Sequence, residues 1–252
     1  MPQRPVLSVV VPVYNEQDSL AKTIDRLAAI PNLLEIVIVD DCSTDATPQI
    51  IEDLKHRYPS WIKSMRHAHN QGKTAGLNTG FRATVGEIVI VQDADLEYDP
   101  TEIAGVIGPI LDGNADVVYG SRFMVKKAAR VLYYYHYLAN KCITGLSNLL
   151  TNINLSDVET GYKAFRGDIN RQMIITSTGF GFEIEVTAKV AKLKCRMYEV
   201  PISYYGRTYE EGKKIGTKDG IYALWCIFKY NWFVPLSSSF RERPQLRLSE
   251  GH

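Results

Sequence analysis

Acidic residues cluster at three places in the first hundred positions: Glu16 after Tyr14-Asn15, Asp40-Asp41 with Asp45, and Asp93-Ala94-Asp95 with Glu97. Carboxylates at i and i+2 just past a strand can face one side and share a hard cation. Mg²⁺ and Mn²⁺ take such oxygen donors and keep other positions for water and phosphate. Asp93 and Asp95 are therefore candidate metal ligands, with Glu97 a candidate third. A D-x-D pair also occurs as a strand-end acid followed by a helix cap; its place after a buried apolar run favours the metal. In Asp40-Asp41, one carboxylate can accept the imide N–H of a uracil or the N1–H of a guanine. The other can hold a ribose hydroxyl or a loop N–H. Asp45 suits a helix cap, and Asp41 suits a ligand.

Two basic segments could meet an anion. Asn70-Gln71-Gly72-Lys73-Thr74-Ala75-Gly76 opens a helix, where a glycine lets the backbone approach a ligand and Lys73 can reach phosphate. The spacing is not that of a Walker loop, and no G-x-G-x-x-G follows the first strand, so conventional NTPase and dinucleotide sites are not supported. The loop Arg207 to Lys214 carries Arg207, Lys213 and Lys214 around Gly212. It could close over an anionic ligand, although such a run alone reads as a solvated charged loop. The five histidines show no paired ligand spacing, and the four cysteines form no C-x-x-C pair. That excludes a zinc site and a disulfide framework, and fits a reducing compartment.

These side chains need a scaffold that brings them to one edge. Apolar runs at 6–13, 35–39, 87–91 and 116–119, with a weaker one at 61–66, read as strands buried on both faces. Helical patterns lie between them at about 16–29, 45–57, 73–84 and 100–112. Thr44 or Asp45 can cap the second, and Asp99-Pro100 opens the last. Alternating strands and helices predict an α/β fold with a mostly parallel sheet, whose ligands bind at the carboxyl ends of the strands. The acidic clusters converge there, and a cation or ligand donors would resolve their repulsion. The second half reads as a helix over 128–150, a polar stretch at 152–163, helices near 168–176 and 182–193, a strand at about 196–204 and a last helix at 219–233. The tail 237–252 is polar and is expected to be disordered.

The chain has 252 residues and a net charge of +1, a size for one large α/β domain and a balance that argues against nucleic acid as the main partner. No secretory signal is read at the N-terminus, and no apolar run reaches the roughly 18–20 residues of a membrane span.

VVVPVYNE, IVDDCSTDAT, NQGKTAGLN and VQDADLEYDP, in this order, resemble the motifs of inverting family-2 glycosyltransferases with a GT-A fold, a Rossmann-like sheet flanked by helices. DVVYGSRF, DVETGYKAF, GFGFEIEV and EVPISYYGRTYEEGKKI resemble the dolichol- and polyprenyl-phosphate mannose synthase subgroup. The resemblance covers residues 6 to about 232. It implies a single domain over 1–236, with a nucleotide-sugar half at about 1–120, an acceptor half at about 121–236, and interfacial C-terminal helices. It also implies that Pro12, Tyr14, Glu16, Val39 and Asp41 bind the donor nucleotide, with Lys73 nearby. Asp93, Ala94 and Asp95 match the metal and diphosphate motif, with Glu97 where an amide often sits. Arg122 matches an arginine between the donor and acceptor phosphates; Arg207 and Lys213 match cations that reach the donor diphosphate. Cys42 stands where glycine is common, and Gly181 where a lysine can occur.

The activity implied is transfer of a hexose, with inversion, from a nucleotide sugar to a polyprenyl phosphate, aided by Mg²⁺ or Mn²⁺. GDP-mannose is the donor the subgroup suggests; a UDP-sugar donor, a soluble saccharide acceptor, and a binding protein without turnover are the alternatives. An acceptor phosphate is largely anionic near pH 7, so it needs no strong general base. Lys126, Lys127 and Arg130, then the tyrosines of 133–137, and Trp225, Phe228, Trp232 and Phe233 of the last helix suit a membrane surface. The expected place is the cytoplasm, peripheral at the cytoplasmic face of a membrane.

Overall fold

The computed structural model describes residues 4–124, 133–206 and 217–246, with the backbone alone at 180 and 217–219. Its strands are β1 (Leu7–Val13), β2 (Leu33–Asp40), β3 (Ile62–Arg66), β4 (Ile88–Val91), β5 (Val117–Ser121), β6 (Lys163–Arg166) and β7 (Met197–Pro201). They form one sheet in the order β3-β2-β1-β4-β6-β5-β7. All neighbours are parallel except β6, which runs antiparallel to both β4 and β5.

The apolar strand runs divide cleanly between two layers. Val9, Val11, Val13, Ile36, Ile38, Ile88 and Ile90 enter one core. The intervening Val10, Val37, Val39, Val89 and Val91 enter the other. This is the two-sided burial that a strand without polar alternation requires. Helices α1 (Leu20–Leu27), α2 (Thr47–Arg57) and α4 (Ile103–Leu111) cover the first face. Leu20, Thr23, Ile24 and Leu27 of α1 are buried, the i, i+3, i+4, i+7 stripe of a packed helix. Helices α3 (Lys73–Ala83), α6 (Gly167–Gln172), α7 (Phe182–Leu193) and α8 (Thr217–Phe228) cover the second face. Gly80 lets α3 lie close, since a Cβ there would stand 2.4 Å from Val10 Cγ1.

Helix α5 (Tyr134–Thr151) differs from the others. Its only fully buried residues are the polar Thr144 and Ser147, while Tyr134, Tyr135, Leu138 and Leu149 are exposed. After α8 the chain makes a wider turn at Lys229–Phe233, leaving Trp232 and Phe233 exposed. No helix among the described residues is long and apolar enough to cross a membrane.

Two expectations are corrected. At the end of the polar stretch and just past it, where no strand is expected, lies β6, too short and too mixed (Lys-Ala-Phe-Arg) to carry a period-2 signal; sheet pairing on both sides creates it. The tail is docked rather than disordered as far as residue 246. Phe240 is buried and bridges Met173, Ile174 N–H donates to Ser239 O at 3.0 Å, and Arg241 N–H donates to Gln172 O at 2.8 Å. One apolar side chain and paired backbone groups outweigh the polar composition; residues 247–252 lie outside the described residues.

Candidate active site

The chain reverses its direction of growth at β1: β2 and β3 add on one side, β4 on the other. The carboxyl ends of β1, β2 and β4 therefore meet at a switch point, where a parallel sheet leaves a crevice. The ends of β1 and β2 are sewn together. Asp41 N–H donates to Val13 O at 2.8 Å, Thr44 N–H to Asn15 Oδ1 at 2.8 Å, and Glu16 N–H to Thr47 Oγ1 at 3.0 Å. Asp45 caps α2 as expected, its Oδ1 accepting Thr47 N–H at 2.9 Å. Pro12 pairs with Val39 across the strands. The Val39 side chain is fully buried between the sheet and α3, so only its backbone faces the strand edge. Tyr14 is exposed at the mouth.

Asp41 is used by the protein itself. Its buried carboxylate accepts Gln71 N–H at 2.9 Å, Gly72 N–H at 2.7 Å, and pairs with His67 Nδ1 at 2.7 Å. His67 Nε2 meets Thr79 Oγ1 at 3.0 Å. Asp41 thus holds the loop that leads into α3. Gly72, at φ +87°, makes the turn that only glycine adopts easily. The next residue, Lys73, is delivered to the end of β4.

There the Lys73 ammonium lies 2.8 and 2.9 Å from the two oxygens of Asp93. Burial works against its charge, but Asp93 and Glu183 hold its pKa above the usual lysine value. The Asp93 turn is rigid. Gln92 is fully buried; its amide donates to Asp93 O at 2.8 Å and its oxygen accepts from the Tyr162 hydroxyl. Ala94 O accepts from Thr23 of α1 at 3.0 Å. Asp95 Oδ1 accepts Glu97 N–H at 3.1 Å around Leu96, which has φ +62°. Gly161 passes so close that a Cβ would stand 2.8 Å from Asp93 Oδ2.

Three tyrosines frame this turn. Tyr98 stacks on Tyr162 with centroids 4.7 Å apart and leans on Tyr204 at 5.3 Å. The Tyr204 hydroxyl donates to Glu97 Oε2 at 2.9 Å. Arg122, just past β5, lies over the Tyr204 ring at 5.1 Å. Its guanidinium is gripped in a fork by Asp157: Nε to Oδ2 at 2.7 Å and Nη2 to Oδ1 at 2.8 Å. Asp157 is fully buried, which disfavours its charge, yet Arg122 holds its pKa below the ordinary value.

Behind Lys73 lies a group of buried and half-buried ionisable side chains. Glu183 Oε1 is 3.9 Å from Lys73 Nζ, and its Oε2 is buried without a hydrogen-bond partner, as is Glu159 Oε1. Burial and then the Glu183 charge push the Glu159 carboxyl up to about 8. Lys163 donates to Val158 O at 2.9 Å and lies over the Tyr119 ring at 4.3 Å; burial lowers its pKa to about 8.

The structure therefore joins Asp93, Ala94, Asp95, Glu97 and Lys73 around the carboxyl end of β4, with Arg122 across the tyrosines. Arg207 and Lys213 lie outside the described residues, as do Lys126, Lys127 and Arg130. Asp157, Tyr98, Tyr162, Tyr204, Glu159, Glu183 and His67 were not singled out from the sequence. Except for His67, which lies outside those motifs, their signal was a charge or an aromatic ring inside motifs already noted, but their partners lie tens of residues away. The residues present fit a divalent cation in part. Asp93 already holds a cationic group on both oxygens, and Asp95 shares its turn. No group of three or more His, Cys, Asp or Glu side chains among the described residues makes a ready metal cage. A metal here would complete its shell from ligand phosphates and water, as Mg²⁺ commonly does.

The family model for Glycosyl transferase family 2 matches residues 8–174. The chain is 29% identical over 214 residues to a dolichol-phosphate mannosyltransferase of Pyrococcus furiosus, covering 83% of this chain and 59% of that protein. It is 29% identical over 218 residues to an undecaprenyl-phosphate mannosyltransferase of Micrococcus luteus, covering 82% and 86%. A glucosyl-3-phosphoglycerate synthase of Mycobacterium tuberculosis, solved with Mn²⁺, UDP and glucosyl-3-phosphoglycerate, shares the fold at TM-score 0.65 and 18% identity, covering 90% of this chain and 80% of that one.

Proposed function

The chain belongs to glycosyl transferase family 2, and from that premise we propose that it transfers a hexosyl group, with inversion, from a nucleotide sugar to a polyprenyl phosphate. The observation that carries this reading is the Asp93-Ala94-Asp95 turn, fixed at the end of β4 beside Lys73, with the clamped Arg122 on the far side of Tyr204 and Tyr98. The mannosyl group and GDP-mannose follow the relatives that act on dolichol and undecaprenyl phosphates. UDP is the nucleotide bound in the Mycobacterium tuberculosis synthase.

Asp93 and Asp95 would hold Mg²⁺ or Mn²⁺, with Glu97 beside them. When bound, the ion neutralises charge on the leaving nucleoside diphosphate. Pro12, Tyr14, Glu16, the Val39 backbone and Asp41, which also holds the 67–72 loop, would bind the donor nucleotide. Arg122, pre-oriented by Asp157, presents a planar fork to the acceptor phosphate. That phosphate is itself the nucleophile, so these residues orient rather than deprotonate it. Arg207 and Lys213 would add charge on the donor side and exclude water.

The lipid tail requires an apolar surface. Tyr135 of α5 is 82% exposed and Phe233 69% exposed, with Tyr134, Leu138, Trp225 and Trp232 also exposed. Tyrosine and tryptophan beside aliphatics suit the interface of a bilayer, so the protein would act peripherally, at the cytoplasmic face where nucleotide sugars are held.

A second reading, transfer to a hydroxyl of a soluble saccharide, draws on Glu159. Its Oε1 is buried without a hydrogen-bond partner, and once ionised, above a pKa raised to about 8, this carboxylate would take the proton of an acceptor hydroxyl.

The test is product formation from GDP-mannose, UDP-glucose and UDP-N-acetylhexosamines, with Mn²⁺ and either polyprenyl phosphate or free saccharides. Product with polyprenyl phosphate alone supports the main reading. Product with a saccharide alone replaces it by the second. No turnover with bound nucleotide would make the chain a binding protein.

A further inference from the structure

Lys73 stands between two acids that cannot both keep it. Its ammonium spans both Asp93 oxygens at 2.8 and 2.9 Å, while Glu183 Oε1 waits at 3.9 Å, beyond hydrogen-bond reach. Glu183 is 5% exposed, and its second oxygen is buried without a partner. A buried carboxylate in that state is costly, and a cation one step away is the natural relief. Lysine has the means: three donors on a flexible stem. Its starting point is held, because Thr74 Oγ1 donates to Gly179 O at 2.8 Å and ties the first turn of α3 to the turn that begins α7. Lys73 and Glu183 therefore stay in register whatever the ammonium does.

We propose that Lys73 is a resident counter-cation for Asp93 and that Glu183 is its second seat, so that a divalent ion arriving at Asp93 displaces the ammonium onto Glu183. This rests on the metal role of Asp93 proposed above. With no ion present, Lys73 neutralises an acid that would otherwise repel its neighbours. With the ion in place, an ammonium on the same two oxygens is repelled, and a move of little more than an ångström from 3.9 Å brings it onto Glu183. Lys73 and Glu183 are positioning residues in this scheme, and they pull metal affinity in opposite directions.

The test is an electron paramagnetic resonance titration of Mn²⁺ with the full chain and no nucleotide. Lys73→Met and Lys73→Gln remove the competing cation, and each is expected to bind Mn²⁺ at least about fivefold more tightly than the wild type. Glu183→Gln removes the second seat and is expected to bind at least about fivefold more weakly. Melting curves establish that each variant is folded; should the Lys73 variants not fold, Glu183→Gln decides alone. Equal or weaker binding by the folded Lys73 variants overturns the proposal, as does wild-type affinity in Glu183→Gln. Failure of the metal reading itself is a different result: wild-type protein that takes up no Mn²⁺ even with GDP or UDP present.

Discussion

Replacing Asp157 by asparagine should cost far more than one ordinary hydrogen bond. Asp157 is 0% exposed and Arg122 12% exposed, and two charge-assisted bonds of 2.7 and 2.8 Å join them. A third bond, 3.1 Å from Arg122 N–H, pins the backbone to the same carboxylate. Asp157→Asn leaves a buried guanidinium without its counter-charge, a loss of about 3–5 kcal/mol when one partner of a buried pair is removed. At about 2–4 °C per kcal/mol for a chain of this size, Tm falls by about 6–20 °C. If Arg122 orients the acceptor phosphate, kcat/KM also falls, on the order of 10²-fold for a displaced positioning group. Urea unfolding of Asp157→Asn, and of a double variant Arg122→Met/Asp157→Leu, provides the check. The double variant removes both charges and should recover much of the lost stability, since an apolar pair of similar volume is often neutral. An Asp157→Asn protein within about 1 kcal/mol of the wild type, or a double variant no better than the single, refutes the reasoning. The pH sign is fixed too. Asp157 is held below its ordinary 3.8, so its stabilisation is present above that value and is lost as pH falls through the lower folded pKa.

Glu159→Gln works the other way. The folded protein holds a proton there between the ordinary 4.5 and about 8, so stability from this group falls as pH rises through that window. The variant should match the wild type at pH 4.5 and gain on it toward pH 8, by at most about 1.4 kcal/mol per pH unit; urea midpoints at three pH values that show no widening gap would sink the idea. Gly161→Ala places a methyl 2.8 Å from Asp93 Oδ2 and 3.1 Å from the Tyr98 ring. It should destabilise by about 1–3 kcal/mol and weaken Mn²⁺ binding, whereas wild-type values for both would mean the turn yields freely. Changing Trp225, Trp232 and Phe233 together to serine should lower binding to anionic vesicles about tenfold or more without lowering Tm, because all three are exposed; unchanged flotation would remove this surface from the membrane reading.

The residue sequence alone determined the strand and helix alternation of the first half, because uninterrupted Val and Ile runs have few other solutions. It also determined that Asp93, Ala94 and Asp95 sit at a strand end. The cap at Asp45 and the helix opening at Asp99-Pro100 were legible for the same reason: each is settled within two or three residues, Asp99 Oδ1 accepting Thr101 N–H at 3.0 Å. What only the tertiary structure decided depends on partners far along the chain. β6 exists because β4 and β5 flank it. The tail is docked as far as residue 246 because Phe240 finds a buried place beside Met173. Asp41, suited by type to a ligand, also holds the loop at 67–72, because folding brings the amides of Gln71 and Gly72, about 30 residues away, onto its carboxylate. Lys73 meets Asp93 and Glu183, and Arg122 meets Asp157, across separations that no local pattern encodes. A carboxylate in a sequence is only a charge; burial and the nearest cation decide whether it binds a ligand, holds a loop or keeps its proton.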